Sequence, residues 1–404
     1  MTSKKDTRYY SLDFWRGVAC LMVAVDHSVF YVQDNPSYHF GDPVSRMIFR
    51  FLDHCWLGVP MFFVISGYCI TAACDSCRGK SNPMGQYFFR RFRRIFPPYW
   101  GALIVVIIAS IGLVAFGVPQ LFFDNIHPFH PLKSFSPWQW LGNLTLTEGW
   151  RFNLIGGKRW FLLGPTWTLC YEEQFYAICG LLLILSRRWF FRGAAWLTAA
   201  VAVVALIHLV IKPLPIDGFF FDGRWLLFAA GMLVYYRIHL AEPANARWAE
   251  ALLLVGFVLA LGWKIVGKAS SMEEYYVGFL FAFLAIVLYR RDLAIANCVV
   301  LRPVTMCGIM CYSLYLIHWP VVKILSRWFY GHGIREAWPT LFLTVPLCAL
   351  AAASAGWVFH LFVERRFLNS APQVPWKKVP AGRAAASVTL PSSLPAKHET
   401  SSSV

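Results

Sequence analysis

Long apolar runs, each bounded by charged or Pro/Gly-rich segments, dominate the pattern along the chain. Stretches long enough to cross a hydrocarbon core of ~30 Å run from Phe14 to Val32, Cys55 to Thr71, Pro97 to Phe116, Pro165 to Leu185 and Gly193 to Ile211. Five more run from Arg224 to Leu240, Ala251 to Val266, Tyr275 to Tyr289, Cys307 to Leu325 and Pro339 to Val363. The pattern predicts an all-α, polytopic transmembrane helix bundle of about ten spans with both termini cytoplasmic. The first stretch follows Ser3-Lys4-Lys5 but contains Asp26 and His27, with no small-residue cleavage site after it, so it reads as a retained span rather than a signal peptide.

Composition agrees. Of 404 residues, 58% are hydrophobic and only 14% charged, a balance that a water-soluble domain of this size does not keep. With ten spans and a cytoplasmic N-terminus, 24 of the 37 Lys and Arg fall on the cytoplasmic side, as the positive-inside rule requires. The net charge of +16 therefore follows loop polarity and contact with anionic lipid; it forms no continuous stripe of the kind nucleic acid needs. The eleven cysteines fall in spans or on the cytoplasmic side, which argues against a disulfide framework, and the Cys74/Cys77 pair lacks the further ligands that a zinc site requires. No metal site is expected.

The longest outside loop, Gly117 to about Gly164, holds Trp138, Trp140, Trp150 and Trp160 with Asp124, His127, His130 and Glu148. Such aromatics either stack on sugar rings or anchor the membrane interface. Residues 1–368 read as the membrane domain. Residues 369–404, rich in Pro, Ser, Ala and Lys, read as a disordered cytoplasmic tail.

Ionisable side chains inside spans are costly unless paired or wetted, so each is a functional candidate. Arg16 and His27 are eleven residues apart, about three helical turns, which places them on one face with Arg16 near the cytoplasmic surface and His27 some 16 Å (roughly) deeper. His318 in the ninth span and Glu172 and Glu173 in the fourth come to a similar depth as His27. Imidazole and carboxylate together are a common means of activating a hydroxyl nucleophile; the structural alternative is interhelical hydrogen bonding. Arg90, Arg91, Arg93 and Arg94 crowd the cytoplasmic entrance of the third span, where guanidinium forks suit phosphate oxygens. Lipid headgroups alone would also explain them.

Six segments in order resemble the membrane-bound acyltransferase family numbered three. Ser11-Leu12-Asp13-Phe14-Trp15-Arg16-Gly17 with His27 is similar to its first-helix signature. Gly58-Val59-Pro60 through Ile65-Ser66-Gly67-Tyr68 resembles the second-helix motif, and Arg90-Arg91 with Arg94-Ile95-Phe96-Pro97 the basic motif before the third helix. Trp167-Thr168-Leu169 to Glu172-Glu173-Gln174-Phe175-Tyr176 follows, with threonine in place of the usual serine. Tyr312 to Pro320 and Val363-Glu364-Arg365-Arg366-Phe367 complete the set, Arg366 standing where proline is common.

The resemblance implies an O-acyltransferase that takes an acyl group, most often acetyl, from cytoplasmic acyl-CoA and gives it to a hydroxyl of a saccharide or glycolipid at the outer side, such as a polysaccharide or lipopolysaccharide. Acyl-CoA enters as co-substrate, with no bound cofactor. By the same resemblance Arg16, Arg90, Arg91 and Arg94 bind the donor phosphates. His27 is general base or transient acyl carrier, with Glu172, rather than Glu173, as its carboxylate partner, and Ser66, Tyr68, Trp167 and His318 line the site. The expected location is the bacterial inner (plasma) membrane, and no attached extracytoplasmic hydrolase-like domain is expected. A small-solute transporter would also bury His, Glu and Arg at the midplane, but it predicts inverted repeats and paired broken helices, neither of which is evident.

Overall fold

The computed structural model describes residues 8–33, 41–78, 82–123, 131–185, 188–210, 217–266 and 272–368. The 369–404 tail, together with Asp124, His127 and His130, lies outside the described residues. Among the described residues the chain is helical throughout, without a strand. In chain order the helices are α1 (Leu12–Gln33), α2 (Pro43–Asp53), α3 (Gly58–Arg78), α4 (Pro83–Ala115), α5 (Pro137–Leu144), α6 (Glu148–Ile155), α7 (Trp167–Leu185) and α8 (Phe190–Val210). They continue as α9 (Trp225–His239), α10 (Pro243–Ile265), α11 (Met272–Leu288), α12 (Asp292–Asn297), α13 (Arg302–Ile309), α14 (Cys311–Gly331), α15 (Ala337–Pro339) and α16 (Val345–Phe362).

Most of the apolar stretches fall along one long helix each, whereas Cys307 to Leu325 runs from α13 across a bend into α14. Length and apolarity alone qualify six of these regions to cross a membrane, or seven if the bent pair ending in α14 counts as one span. The shortfall has physical causes. Helix α1 carries Asp13, Arg16 and Asp26, and α9, with 15 residues, is roughly 23 Å long at 1.5 Å per residue, short of the ~30 Å core.

Local chemistry sets the helix starts. Asp42 and Ser45 form a capping box ahead of α2, with Pro43 at its first position. Ser136 and Gln139 do the same for α5, and the Asn82 side chain caps α4. The start of α1 is held from a distance: both carboxylate oxygens of buried Asp292 accept backbone N–H groups, of Tyr10 and Ser11, at 2.7 Å each. Asp292→Ala would orphan both donors, and we expect about 1–3 kcal/mol of destabilisation, read as a lowered unfolding midpoint in detergent. An unchanged midpoint would refute the cap.

Two glycine crossings draw helices together. A Cβ on Gly17 would lie 1.9 Å from the Val304 carbonyl oxygen, and one on Gly308 would lie 1.5 Å from that of Asp13, so α1 and α13 touch backbone to backbone. Gly67 and Gly231 do the same for α3 and α9, at 2.0 Å and 1.9 Å from the Phe228 and Val64 oxygens. Small residues at helix crossings are the usual means of close approach in bilayers, where the hydrophobic effect does not drive helices together. Gly17 follows Arg16 and Gly67 follows Ser66, so both crossings position candidate site residues.

Between α13 and α14 the chain bends by 77°. Helices α1, α4, α14 and the C-terminal segment Glu364–Phe367 define one end of the bundle, rich in arginine. The segments around α5 and α6 cover the other.

Candidate active site

At the arginine-rich end lies an inner cavity of about 130 Å³, lined among others by Arg16, Ser66, Arg91, Arg94, Glu172 and Tyr315. A second cavity of about 140 Å³, lined by Tyr87, Arg90, Arg91 and Arg94, adjoins it through the shared Arg91 and Arg94. The four arginines singled out for donor phosphates therefore lie along one path, with Arg90 exposed at its mouth. Arg16 is fixed by Asp13 at 2.7 Å and donates to the Cys69 sulfur at 2.9 Å. The Arg91 guanidinium stands over the Tyr176 ring at 5.4 Å.

Glu172 holds the wall of this cavity. Its two oxygens accept from Ser66 at 2.6 Å and from Tyr176 at 2.7 Å. Thr168, Glu172 and Tyr176 recur every four residues and all line the cavity, one face of α7. Glu173, a residue further round the helix, lines neither this cavity nor the outer one described below.

The imidazoles meet elsewhere. His27 Nδ1 lies 2.9 Å from His318 Nε2, with the two rings parallel to within 5°. His318 Nδ1 reaches the Tyr315 carbonyl at 2.7 Å and that of Leu314 at 3.1 Å. Carbonyls only accept, so Nδ1 of His318 carries its proton and its Nε2 is the acceptor. His27 therefore donates from Nδ1, which leaves Nε2 as its basic atom.

The structure thus brings His27 to His318, and Glu172 to Ser66 and Tyr176. Counting residues gives depth but not azimuth: Glu172 turns toward α3, whereas the partner of His27 comes from α14. Tyr68 is also misplaced by the sequence reading. It lies two residues, and so about 200°, beyond Ser66, and its hydroxyl pairs with His239 Nε2 at 2.7 Å on the opposite side of α3.

A larger outer cavity, about 830 Å³, opens at the other end, with Trp160, Trp167, Trp319, Lys133, Arg224 and Lys323 among its walls. Trp167 thus belongs to this chamber and not to the arginine one. Trp160 also faces it, while Trp150 stacks on Phe219 at 5.9 Å and Trp140 packs on Phe135 at 5.5 Å. Glu148 is buried and structural: it binds Arg151 at 2.7 Å and 3.0 Å and accepts from the Trp160 amide at 2.8 Å. That bond raises the Arg151 pKa above its ordinary value.

Helix α14 passes both cavities with one stripe of residues. Tyr312 and Tyr315 face the inner cavity, and Trp319 and Lys323 the outer one. Between them, 1% exposed, sits His318. Tyr315 donates to the Pro165 carbonyl and meets Thr168 at 2.6 Å, and Trp319 donates to Tyr31. Together these pairs wall one cavity from the other, and the histidine pair is set into that wall.

Several residues of this arrangement were not on the sequence shortlist. Lys323, fully buried in an apolar helix, is a costly charge that the rule applied to Arg16 would have flagged. Glu364 accepts from Ser313 Oγ at 2.5 Å and pairs with His360 at 2.9 Å; the four-residue spacing of His360 and Glu364 was the available signal. Among the described residues no three His, Cys, Asp or Glu side chains converge as metal ligands.

A profile described as an acyltransferase domain matches residues 9–360. The peptidoglycan O-acetyltransferase OatA of Listeria monocytogenes is 23% identical over 294 residues, 67% of this chain and 45% of that protein. O-acetyltransferase OatA of Staphylococcus aureus is 23% identical over 299 residues, 69% of this chain and 48% of that protein. The chain thus spans about half the length of the curated relatives it matches. No solved structure matches it. With the match running from Tyr9 to His360, across both cavities and the wall between them, the chain belongs to the membrane-bound acyltransferase family numbered three.

Proposed function

We propose that this protein is a multi-pass O-acyltransferase of the bacterial plasma membrane that moves an acyl group, acetyl by preference, from cytoplasmic acyl-CoA to a saccharide hydroxyl on the far side. The observation that carries this reading is the wall: an arginine-lined inner cavity and a larger, tryptophan-bearing outer one flank the stretch of α14 that carries buried His318, the hydrogen-bond partner of His27. The names of the relatives, which specify O-acetyl transfer and, for one, peptidoglycan, support the acetyl group and the saccharide acceptor.

In this reading the arginine-rich end faces the cytoplasm, in keeping with ten spans and both termini inside. Arg90, Arg91 and Arg94 take the donor phosphates and Arg16 guides the arm inward. A cavity of about 130 Å³ is too narrow for a nucleotide and suits the thioester end of a slender chain. His27 Nε2 takes the proton of the acceptor hydroxyl as its oxygen bonds to the thioester carbonyl. The carbon–sulfur bond then breaks, and the departing thiolate is protonated in turn. Glu172 keeps Ser66 and Tyr176 in place along the arm. Enclosure also holds water, the competing nucleophile, away from the thioester.

Purified protein incubated with labelled acetyl-CoA and mixed saccharides tests this: acceptor-dependent thiol release and label on the glycan are expected. Solute flux with no thiol release would replace the reading with a transporter. Replacing Arg91 and Arg94 together by alanine removes two charge-assisted contacts, each worth about 1.5–3 kcal/mol. KM for the donor should rise at least ~10-fold, with kcat changed much less. A fall in kcat at unchanged KM would remove these arginines from donor binding.

A further inference from the structure

We infer that Glu364 accepts the amide N–H nearest the thioester in the arm of the acyl-CoA donor, and so selects for amide-bearing thioesters. This deepens the donor reading proposed above and rests on it.

Three observations converge on this carboxylate. First, it is anchored by one oxygen only. Glu364, 2% exposed, accepts from the Ser313 amide at 3.2 Å and from Ser313 Oγ at 2.5 Å, and lies 2.9 Å from His360 Nδ1. All three contacts are to Oε2. The arrangement is no catalytic triad, because the serine bonds the carboxylate and not the histidine, so no base stands against its hydroxyl. It is a cap instead. Helix α14 has no side-chain cap of its own after the bend, and Glu364 satisfies an amide left open in its first turn.

Second, Glu364 lines the inner cavity, and its Oε1 takes no hydrogen bond among the described residues. The Arg16 guanidinium on the same cavity is engaged by Asp13 and Cys69. A carboxylate oxygen shut away from bulk water without a donor is costly. A ligand that brings an N–H to it removes that cost, and the resulting bond, with one partner charged, is of the stronger kind.

Third, the depth agrees. Glu364 meets α14 at Ser313, five residues and so about 7.5 Å before His318, toward the arginine-rich end. In an acyl-CoA the nearest amide is set back from the reacting carbon by the sulfur and two methylenes. A thioester carbonyl poised at the histidine pair therefore holds this N–H near the level of Glu364, within the cavity already assigned to the slender end of the donor.

The test compares acetyl-CoA, on the full-length protein in nanodiscs with a saccharide acceptor, with two analogues in which one amide N–H, the nearer to sulfur or the farther, is replaced by an ester oxygen. The exchange adds no bulk and removes only the donor. KM for the nearer ester should exceed that for acetyl-CoA by ~10-fold or more, the scale of a hydrogen bond to a charged group, with kcat changed much less. The farther ester should behave as acetyl-CoA does. In Glu364→Gln the penalty on the nearer ester should vanish, because glutamine must give its carbonyl to Ser313 and turns its NH2 toward the arm. A purely structural role for Glu364 would instead weaken all three donors alike. If Glu364→Gln does not fold, Glu364→Asp, which keeps the charge and withdraws it by one methylene, should shrink the same penalty. A nearer ester that serves as well as acetyl-CoA, an equal penalty on both esters, or a penalty undiminished in the variant would each overturn the inference while leaving acyl transfer in place. No thiol release from acetyl-CoA itself would refute the acyltransfer reading instead.

Discussion

Replacing His27 with alanine is expected to lower kcat by about 10²–10⁴-fold, the range that a well-placed general base contributes, while donor affinity changes little. The two should separate because His27 is not among the residues that line the arginine cavity; in the proposed mechanism its part is the proton, not the phosphates. The hydrogen-bond chain sharpens the test. His318→Phe removes the acceptor of His27 Nδ1–H, frees the ring to rotate and exchange tautomer, and should itself cost kcat while leaving the His27 side chain intact. Gln at 318 retains a carbonyl acceptor and should recover part of the loss. Equilibrium binding of labelled coenzyme A, thermal unfolding and single-turnover transfer, measured on the same preparations, distinguish lost chemistry from lost fold. Full turnover in His27→Ala would remove the histidine from the mechanism. Loss of donor binding in parallel with kcat would make it a packing residue.

That chain of protons also marks how far the sequence could be read. Apolar run length located most of the long helices because the requirement is one-dimensional: a segment must be long and apolar to pass through hydrocarbon. The Arg16/His27 separation was legible for a similar reason, since both lie on one rigid helix. Pairings between helices were not. Ser66 and Tyr68 belong to one motif, yet a 200° (approximately) rotation sends them to opposite sides of α3, and only the Gly67/Gly231 crossing decides which side meets α7 and which meets α9. Glu172 and His27 came to the same counted depth and still took different partners. The bend at Met310 left no proline or glycine at the break itself; Gly308, two residues earlier, was the nearest hint. Lys323 was visible in the sequence, but its meaning depended on Tyr31 and Trp319 arriving from elsewhere in the bundle.

Gly308→Ala is expected to have the largest effect on stability of any single-methyl addition in the described bundle. The new carbon would sit 1.5 Å from the Asp13 oxygen, 2.5 Å from its carbonyl carbon and 3.0 Å from the Gly17 amide nitrogen, all of them backbone. No rotamer relieves a clash with backbone, so α1 and α13 must separate. Typical overpacking costs about 1–3 kcal/mol; with main chain on both sides the cost should reach or exceed the top of that range. Function should fail with the fold, because Asp13 and the adjacent Arg16 move with α1, and Gly308 and Arg16 line the same cavity. Gly262→Ala is the matched control: it lies within α10 with nothing within 4 Å of the added carbon, and alanine should stabilise that helix by roughly 0.5–1 kcal/mol. Fluorescence-detected size exclusion with a thermal ramp compares the two directly. A folded Gly308→Ala protein with the parent unfolding temperature would show that α1 and α13 are not in backbone contact, and the inner cavity as drawn would lose its floor. A variant that folds at reduced temperature and is rescued by a compensating shift elsewhere in α1 would instead locate the contact where the crossing places it, beside the Arg16 guanidinium assigned to the donor path in the proposed mechanism.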